Sequence, residues 1–289
     1  MNKAFLIRAG TFLLSFIPFG LARAMALAIA DLCWLLLRER RRIVEDNLSH
    51  LVPGRGRREY RRLARSTFRN LALCSLDFLK LPLLSKEQIV ALIELRGREN
   101  LDSALAQGKG AILVTAHLGN WDFAGAFLAA LGYSIYTVAE DVEPEVYEVY
   151  ERYRSATGMK ILSLEHGALS AYRVLKKKEF LVLVGDRAIG TPGLPVAFCG
   201  GRRNLPEGPA AFALKAGAPL VIGYLTLQPK GSRRRYLGVV TPPLNPPGEL
   251  GALDMPHLTQ RISDRLSQGI QEHPDQWFVF QPQWIETKG

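Results

Sequence analysis

The chain has 289 residues and few cysteines, and their placement excludes folds that depend on them. The three cysteines, Cys33, Cys74 and Cys199, are far apart and odd in number, and the sequence has no C-x-x-C pair. Neither a disulfide framework nor a cysteine-rich metal site is indicated, so a reducing compartment fits best. Cys33 and Cys74 lie in apolar helical patterns, which predicts that both pack in the core.

Several signatures of chemistry are also missing. The sequence has no internal repeat, no G-x-S-x-G of serine hydrolases, no P-loop and no G-x-G-x-x-G. The other four histidines show no ligand spacing with His117, so neither a metal nor any other cofactor is predicted. Basic residues are not interleaved with clustered aromatics as in single-strand binding proteins, and we expect no nucleic-acid partner.

What the chain does have is apolar residues, 48% of the total, and a formal net charge of +10. The apolar fraction is ample for a sizeable core. The basic excess lies almost wholly in the first 70 residues, which hold 14 Lys or Arg against 5 Asp or Glu. An excess confined to one region suits an anionic partner for that region.

The most hydrophobic stretch is "MNKAFLIRAGTFLLSFIPFGLARAMALAIADLCWLLLRERRR" at the N-terminus. The stretch between Arg8 and Arg23 is shorter than the roughly 20 residues that cross a bilayer, and Pro18 would break a helix there. We expect two helices hinged near Pro18, lying in or dipping into one leaflet, with the arginines of "RERRR" among anionic headgroups. The alternatives are a signal peptide, a single tilted span, and a hydrophobic layer packed on the main domain.

The pattern changes further along the chain. Residues 56–80 predict an amphipathic helix with a basic first half, and residues 1–80 are interpreted as a membrane-associating helical region. Residues 81–289 are interpreted as an α/β domain that opens with a linker and a helix starting near Glu99. The segment "TPPLNPPGELGALDMP" predicts a surface connection before the last helix.

Strands and helices alternate in this second region, which predicts a mostly parallel sheet flanked by helices. The predicted strands are Ala111–Thr115, Ser134–Val138, Lys160–Leu162, Phe180–Val184, Leu220–Leu227 and Tyr236–Val240. The predicted helices are Trp121–Leu131, Glu143–Thr157, Gly167–Lys177, Pro206–Lys215 and Pro256–Glu272. In such sheets the functional residues gather beyond the carboxyl ends of the strands.

The stretch "VTAHLGNWDFAG" follows the first of these strands and places His117 just past its end. Gly119 and Asn120 predict a turn, and Asn120 or Asp122 can cap the next helix. If the Asp122 carboxylate folds back onto Nδ1 of His117, Nε2 becomes a base that faces the cleft. The alternatives are a capping role for Asp122 with a structural histidine at the rim, and a metal site.

Two downstream stretches support a chemical role. "VLVGDRAIG" ends another apolar strand on Asp186 and Arg187, and "AFCGGRRNLPEGPAAF" supplies Arg202, Arg203 and Glu207 before a helix. Arginines at this sheet edge suit a phosphorylated or acidic ligand because the guanidinium fork matches phosphate oxygens. The alternative for each arginine is a surface salt bridge with Asp186 or Glu207.

The sequence resembles the lipid A biosynthesis acyltransferases of the glycerolipid and lysophospholipid acyltransferase superfamily. The matching features are His117 to Asp122 as an H-x-x-x-x-D motif, Asp186-Arg187, "PVAFCG", "NLPEGPAAFALKAGAPLV", "RRRIVEDNL" and "HPDQWFVFQPQW". They follow the family's order along nearly the whole chain. Two features depart from the family: Cys199 replaces a second Phe, and "FQPQW" replaces a His-Arg-Arg ending.

The resemblance implies acyl transfer from a thioester on acyl carrier protein or coenzyme A to a lipid hydroxyl, at the cytoplasmic face of the bacterial inner membrane. His117 would be the base and Asp122 its orienting acid. Asp186, Arg187, Arg202, Arg203 and Glu207 would bind substrate, and Arg187 or backbone N–H groups of the turn would stabilise the oxyanion.

Three acceptors stay open: a lipid A precursor, a phosphatidylinositol mannoside and a lysophospholipid. The two departures from the family weaken the case for a lipid A precursor, and the C-terminal ending resembles that of the enzymes that acylate phosphatidylinositol mannosides. The competing hypotheses are an acyl thioesterase or lipid hydrolase in which Cys199 or a serine attacks, and a non-catalytic basic membrane-binding protein.

Overall fold

A computed structural model describes residues 3–138, 144–162, 167–188, 192–246 and 254–285. The helices are α1 (Lys3–Leu14), α2 (Phe19–Leu36), α3 (Arg38–Leu51), α4 (Arg57–Lys80), α5 (Lys86–Ala91), α6 (Arg98–Ala106), α7 (Trp121–Ala130), α8 (Pro144–Ala156), α9 (Gly167–Lys176), α10 (Gly208–Ala216) and α11 (Asp254–Glu272). The strands are β1 (Ile93–Arg96), β2 (Ala111–Thr115), β3 (Ile135–Val138), β4 (Lys160–Leu162), β5 (Phe180–Val184), β6 (Leu194–Phe198), β7 (Gly201–Leu205), β8 (Leu220–Leu227) and β9 (Tyr236–Val240).

Seven strands form one mixed sheet in the order β1-β9-β8-β2-β5-β3-β4. All neighbours in it pair parallel except β8 and β9, which pair antiparallel. β6 and β7 form a separate antiparallel hairpin. The expected α/β class with a mostly parallel sheet flanked by helices is confirmed.

The centre of the sheet is β2, whose five residues are all buried. Its apolar side chains alternate between two core clusters, one holding Ile112 and Val114 and the other Ala111 and Leu113. This alternation shows that both faces of the sheet are covered, as an almost uninterrupted apolar strand requires. The carboxyl end of β2 is therefore held from both sides.

Two parts of the predicted element order were wrong. The expected linker before Glu99 contains α5 and β1, and α5 begins with a capping box in which Ser85 and Gln88 satisfy each other's backbone N–H groups. The β6–β7 hairpin was not predicted either. Of the Pro-rich surface connection, residues 247–253 lie outside the described residues.

The N-terminal helices break where expected, since Pro18 is the N-cap of α2. Helix α2 is long and apolar enough to cross a membrane, with a mean hydropathy of 1.7 and 11% of that window buried. Its charged Asp31 faces α4, where the carboxylate accepts paired hydrogen bonds of 2.7–2.8 Å from Arg65 and Arg69. These hydrogen bonds lower the pKa of Asp31. Seven large apolar side chains of α2 are exposed: Phe19, Leu21, Met25, Ile29, Leu32, Leu35 and Leu36. We refer to them as the exposed apolar face of α2.

The predicted amphipathic helix is α4, and it packs into the same core as the sheet. Ala64 and Phe68 of α4 share a cluster with Val44 and Leu48 of α3 and with Ile112 of β2. The division of the chain at residue 80 stays a prediction. The apolar faces of α3 and α4 are buried against the α/β core, so the two predicted regions share one hydrophobic cluster.

Candidate active site

His117 lies in the turn between β2 and α7, with its ring held by a buried carboxylate. Nδ1 of His117 is 2.8 Å from Oδ1 of Asp186, and the His117 backbone N–H donates to Oδ2 of Asp186 at 3.0 Å. The Trp277 indole N–H donates to that same Oδ2 at 2.8 Å. A carboxylate on Nδ1 selects the tautomer in which Nε2 is the basic nitrogen.

The position of Asp186 follows from strand register. β2 and β5 are parallel neighbours with Thr115 opposite Val184, so the two strands end at the same edge. Two residues further along each chain stand His117 and Asp186. The Gly185 N–H continues the ladder by donating to the Thr115 carbonyl at 2.8 Å.

Burial opposes ionisation of Asp186, whose side chain is fully buried. The positive charge of His117 and the hydrogen bonds from His117 and Trp277 outweigh burial and hold the pKa of Asp186 below its usual range. Asp186 is therefore a negative charge that the protein encloses and directs at the imidazole.

This arrangement differs from expectation at two residues. Asp186, expected to bind substrate, is enclosed and hydrogen-bonded to His117, and a substrate-binding role for it stays a prediction. Asp122, expected to take Nδ1 of His117, lies in the first turn of α7, and its Oδ1 accepts from Nε of Arg154 at 2.7 Å. The physical reason is that the neighbouring strand brings a carboxylate directly beside His117, while the α7 turn directs Asp122 toward α8.

The turn itself is built on Gly119 and Asn120. Gly119 has φ of +63°, and a Cβ there would lie 1.9 Å from the carbonyl oxygen of Leu225. The Asn120 N–H donates to that carbonyl at 2.8 Å, and the Asn120 side chain accepts from the Phe123 N–H as the N-cap of α7. The predicted turn and the predicted cap by Asn120 are confirmed.

A buried polar network fastens this turn to α4. The Asn120 amide donates to the Tyr236 hydroxyl at 3.0 Å, and that hydroxyl donates to Oδ2 of Asp77. Arg235 donates from Nε to the same oxygen at 2.6 Å. Burial raises the pKa of Asp77, although Arg235 and Tyr236 counter it. The network ties the position of the turn to an N-terminal helix.

The C-terminal segment closes over the other side of the turn. The Gly119 N–H donates to the Gln276 carbonyl at 2.8 Å, and the Phe278 N–H donates to the His117 carbonyl at 2.7 Å. This is the role of the "WF" in the C-terminal motif, which was noted only as part of the family resemblance. The hydrogen bond from Trp277 to Asp186 belongs to the same contact.

His117 and Asp122 both line a cavity of about 220 Å³, referred to below as the His117 cavity. Tyr150 and Arg154 of α8 line it on one side, and apolar residues of β4 and β5 line the other. Among the described lining residues Arg154 is the one arginine or lysine. Arg154 was not predicted as a site residue, because an arginine in the amphipathic pattern of α8 looks the same in sequence as one that is merely solvated.

The structure separates the other predicted binding residues. Arg203 is fully buried, with its guanidinium carbon 4.9 Å from the Trp277 ring centre and 5.2 Å from that of Trp284. Burial lowers the pKa of Arg203 to about 10. Aromatic rings enclose the charge of Arg203, which disfavours contact with a ligand, and a binding role for Arg203 stays a prediction.

Arg187 donates from Nη1 to Oε1 of Gln281 at 3.1 Å. Arg202 is exposed on β7, and Glu207 is exposed at the N-cap of α10 without a capping hydrogen bond. In the part of the chain that the structure describes, none of the three lines the His117 cavity. Binding roles for Arg187, Arg202 and Glu207 stay predictions.

Cys199 does not have the surroundings of a nucleophile. It is 3% exposed at the tip of the β6–β7 hairpin, and burial raises its pKa to about 12. Reactive cysteines instead have lowered pKa values and access to solvent. This observation disfavours a hydrolase in which Cys199 attacks.

We therefore expect iodoacetamide at mildly alkaline pH to modify Cys33 much faster than Cys199 in the folded protein. Cys33 is partly exposed, whereas Cys74 and Cys199 are both buried. Mass spectrometry of peptides after timed alkylation measures the three rates, and alkylation in denaturant provides the control. Alkylation of Cys199 at the rate of Cys33 in the folded protein would contradict this assignment.

Among the described residues there is no group of three or more His, Cys, Asp or Glu that could hold a metal ion.

The fold and this site define an α/β protein with a carboxylate-bound histidine at the carboxyl edge of its sheet and with an apolar N-terminal helix. The chain belongs to the family described as "Bacterial lipid A biosynthesis acyltransferase", whose profile matches residues 2–286.

Two curated relatives share about a third of their aligned residues with it. The phosphatidylinositol mannoside acyltransferase of Mycobacterium tuberculosis is 31% identical over 216 residues, covering 72% of this chain and 66% of that protein. The phosphatidylinositol mannoside acyltransferase of Mycolicibacterium smegmatis is 30% identical over 228 residues, covering 77% of this chain and 72% of that protein. The match therefore spans just under two thirds of the length of the M. tuberculosis relative.

Among solved structures, the 1-acyl-sn-glycerophosphate acyltransferase PlsC of Thermotoga maritima aligns with a TM-score of 0.41 at 14% identity. That alignment covers 86% of this chain and 95% of PlsC.

Proposed function

We propose that the protein transfers a fatty acyl group from an acyl thioester to a hydroxyl group of a membrane lipid or glycolipid. The observation that carries this proposal is the hydrogen bond from His117 to the enclosed Asp186, at the edge of a cavity. Membership in the acyltransferase family supports it. The relatives' names favour a phosphatidylinositol mannoside-like acceptor, with a lipid A precursor and a lysophospholipid as the other candidates.

In the proposed reaction Nε2 of His117 removes the proton of the acceptor hydroxyl as its oxygen attacks the thioester carbonyl. The carbon–sulfur bond then breaks, and the leaving thiolate takes up the proton that His117 holds. Asp186 stabilises the imidazolium that exists between these steps. An ester and a free thiol result, and no acyl-enzyme forms.

The oxyanion needs a donor, and three backbone groups of the turn are engaged elsewhere. The N–H groups of His117, Gly119 and Asn120 donate to Asp186, Gln276 and Leu225. We propose that Arg154 binds the oxyanion or a substrate phosphate, since its side chain lines the His117 cavity. Asp122 then acts as the residue that positions Arg154.

The donor is a thioester of coenzyme A or of acyl carrier protein. A narrow apolar recess of about 40 Å³ between α7 and the sheet shares Thr115 and Gly125 with the His117 cavity. We assign the donor's acyl group to the side of the His117 cavity that this recess adjoins. The depth of this recess would then limit the length of the donor's acyl chain.

We place the protein on the cytoplasmic face of the bacterial inner membrane, attached through α2. The exposed apolar face of that helix and the arginines of α3 and α4 support this placement, since anionic headgroups attract nearby Lys and Arg.

Substituting His117 tests the proposed function. We expect His117→Ala to lower acyl transfer on the order of 10²–10⁴-fold, the usual contribution of a general base. The assay measures transfer of labelled acyl groups from acyl-CoA and acyl carrier protein to phosphatidylinositol mannoside, a lipid A precursor and lysophospholipid. His257→Ala, which changes an exposed histidine of α11, is the matched control and should keep full activity.

Two results would decide against the proposal. Full transfer by His117→Ala would remove His117 from the chemistry. Release of free thiol at the same rate with and without acceptor would identify a thioesterase instead. The unsubstituted protein, His117→Ala and His257→Ala should sediment equally with anionic vesicles. Equal sedimentation would show that a loss of transfer is not a loss of membrane binding.

A further inference from the structure

An apolar groove of about 650 Å³ lies between α1, α2 and α4 and is referred to below as the α2 groove. Ala26 and Ile29 of α2 form one wall, and Leu71, Ala72 and Leu79 of α4 form the opposite wall. Apart from the Cys33 thiol, Arg40 and Ser75 are the polar side chains among its described lining residues. Its volume lies within the range of about 300–1,000 Å³ typical of ligand pockets.

The groove opens on the exposed apolar face of α2. Met25 and Ile29 line it and are nevertheless 47% and 58% exposed. A surface of this kind is unfavourable in water and favourable against hydrocarbon. The mouth of the groove therefore has the apolar chemistry that suits the acyl region of a bilayer.

The groove also adjoins the catalytic residues through a third cavity of about 360 Å³. That cavity shares Leu71, Ser75 and Leu79 with the α2 groove. It shares Trp121, Asp122 and Tyr150 with the His117 cavity. Three cavities with common walls thus run in series from the exposed face of α2 to His117.

We infer that the α2 groove binds the hydrocarbon tails of the acceptor lipid while its headgroup hydroxyl reaches His117. This inference rests on the proposed function. The acceptor is already in the bilayer, so its tails can enter at α2 without crossing water. The apolar recess that we assign to the donor's acyl group shares none of its described lining residues with the α2 groove. The groove therefore selects acceptors that carry long tails.

Photocrosslinking tests the occupancy of the groove without relying on catalysis. The full chain is bound to phosphatidylcholine and phosphatidylglycerol vesicles containing a phospholipid with a diazirine on one acyl chain, and labelled residues are mapped by mass spectrometry. We expect labels on Leu71, Ala72 and Leu76, which line the groove from α4. Labels confined to Leu32 and Leu35, which are exposed on α2 outside the groove lining, would overturn the inference.

A matched pair of variants sharpens this test. Ala26→Phe fills the groove, whereas Ala28→Phe adds the same ring to an exposed position of α2 that does not line it. Ala26→Phe should lower labelling of α4 severalfold, and Ala28→Phe should leave it unchanged. Vesicle sedimentation and thermal melting should be equal for both variants, which shows that folding and membrane binding are intact.

Kinetics separate an acceptor tail from an ordinary bilayer lipid. For a long-tailed lysophospholipid, Ala26→Phe should raise the acceptor KM about tenfold, the effect of losing roughly two buried methylene groups. For a short-tailed lysophospholipid, KM should not change, and kcat should be kept for both acceptors. Equal KM changes for the two tail lengths would overturn the inference and leave the proposed function standing. Groove labelling without any transfer by the unsubstituted protein would overturn the proposed function, and with it the acceptor role of the groove.

Discussion

Asp186→Asn is expected to lower kcat roughly 10³–10⁴-fold, the loss found when the orienting aspartate of a Ser-His-Asp triad becomes asparagine. The backbone N–H of His117 and the indole N–H of Trp277 both point at Oδ2 of Asp186. An asparagine must therefore place its carbonyl oxygen there and its NH₂ group toward Nδ1. Nδ1 then accepts, Nε2 carries the proton, and the base is lost.

Asp122→Asn is the informative comparison for this prediction. Asp122 accepts from Arg154, so its substitution should leave the His117 tautomer unchanged and lower kcat less. Nitrogen NMR of labelled histidine reads the tautomer directly, and steady-state kinetics reads kcat. If Asp122→Asn shifts the tautomer and Asp186→Asn does not, the orienting carboxylate is Asp122.

Gly119→Ala is expected to destabilise the fold by roughly 3 kcal/mol or more, which is among the larger effects of single substitutions. A left-handed backbone alone costs a non-glycine residue about 1–2 kcal/mol. The added Cβ would also lie 1.9 Å from the carbonyl oxygen of Leu225, so β8 or the turn must move. The Asn120 hydrogen bond to that carbonyl should weaken, and activity should fall with it.

Gly132→Ala isolates the backbone cost. Gly132 has φ of +93°, but a Cβ there meets nothing within 4 Å. Urea unfolding gives the loss in the free energy of unfolding for each variant, and the difference between the two losses is the cost of the close approach to Leu225. Equal losses of stability for the two variants would contradict this prediction, because they would show that the turn after β2 can relax around the added Cβ.

Much of the fold was predictable because its strands are apolar runs bounded by turns. Phe180–Val184 and Tyr236–Val240 were predicted with the bounds that β5 and β9 have. β1 was missed because four residues, "IELR", are too few for alternation to stand out. The β6–β7 hairpin was missed because Pro195 and two adjacent arginines interrupt its pattern, while its stability comes from packing on α11 and the C-terminal segment.

The candidate site was predictable in part. His117 was found from its place after a buried strand, and Asn120 from its capping chemistry. Arg154 was missed because its significance depends on α8 packing beside α7, and Arg203 was assigned to a ligand because an arginine in sequence carries no sign of burial.

The order of residues alone determined that a histidine would stand at the carboxyl end of a central strand, followed by a glycine turn and a capped helix. Those features depend on local backbone conformation and on periodic apolar side chains, which a sequence displays directly. Which carboxylate holds that histidine was decided by the tertiary structure. The choice depends on β5 pairing with β2 in one register, and a contact across 69 residues arises only when the sheet closes.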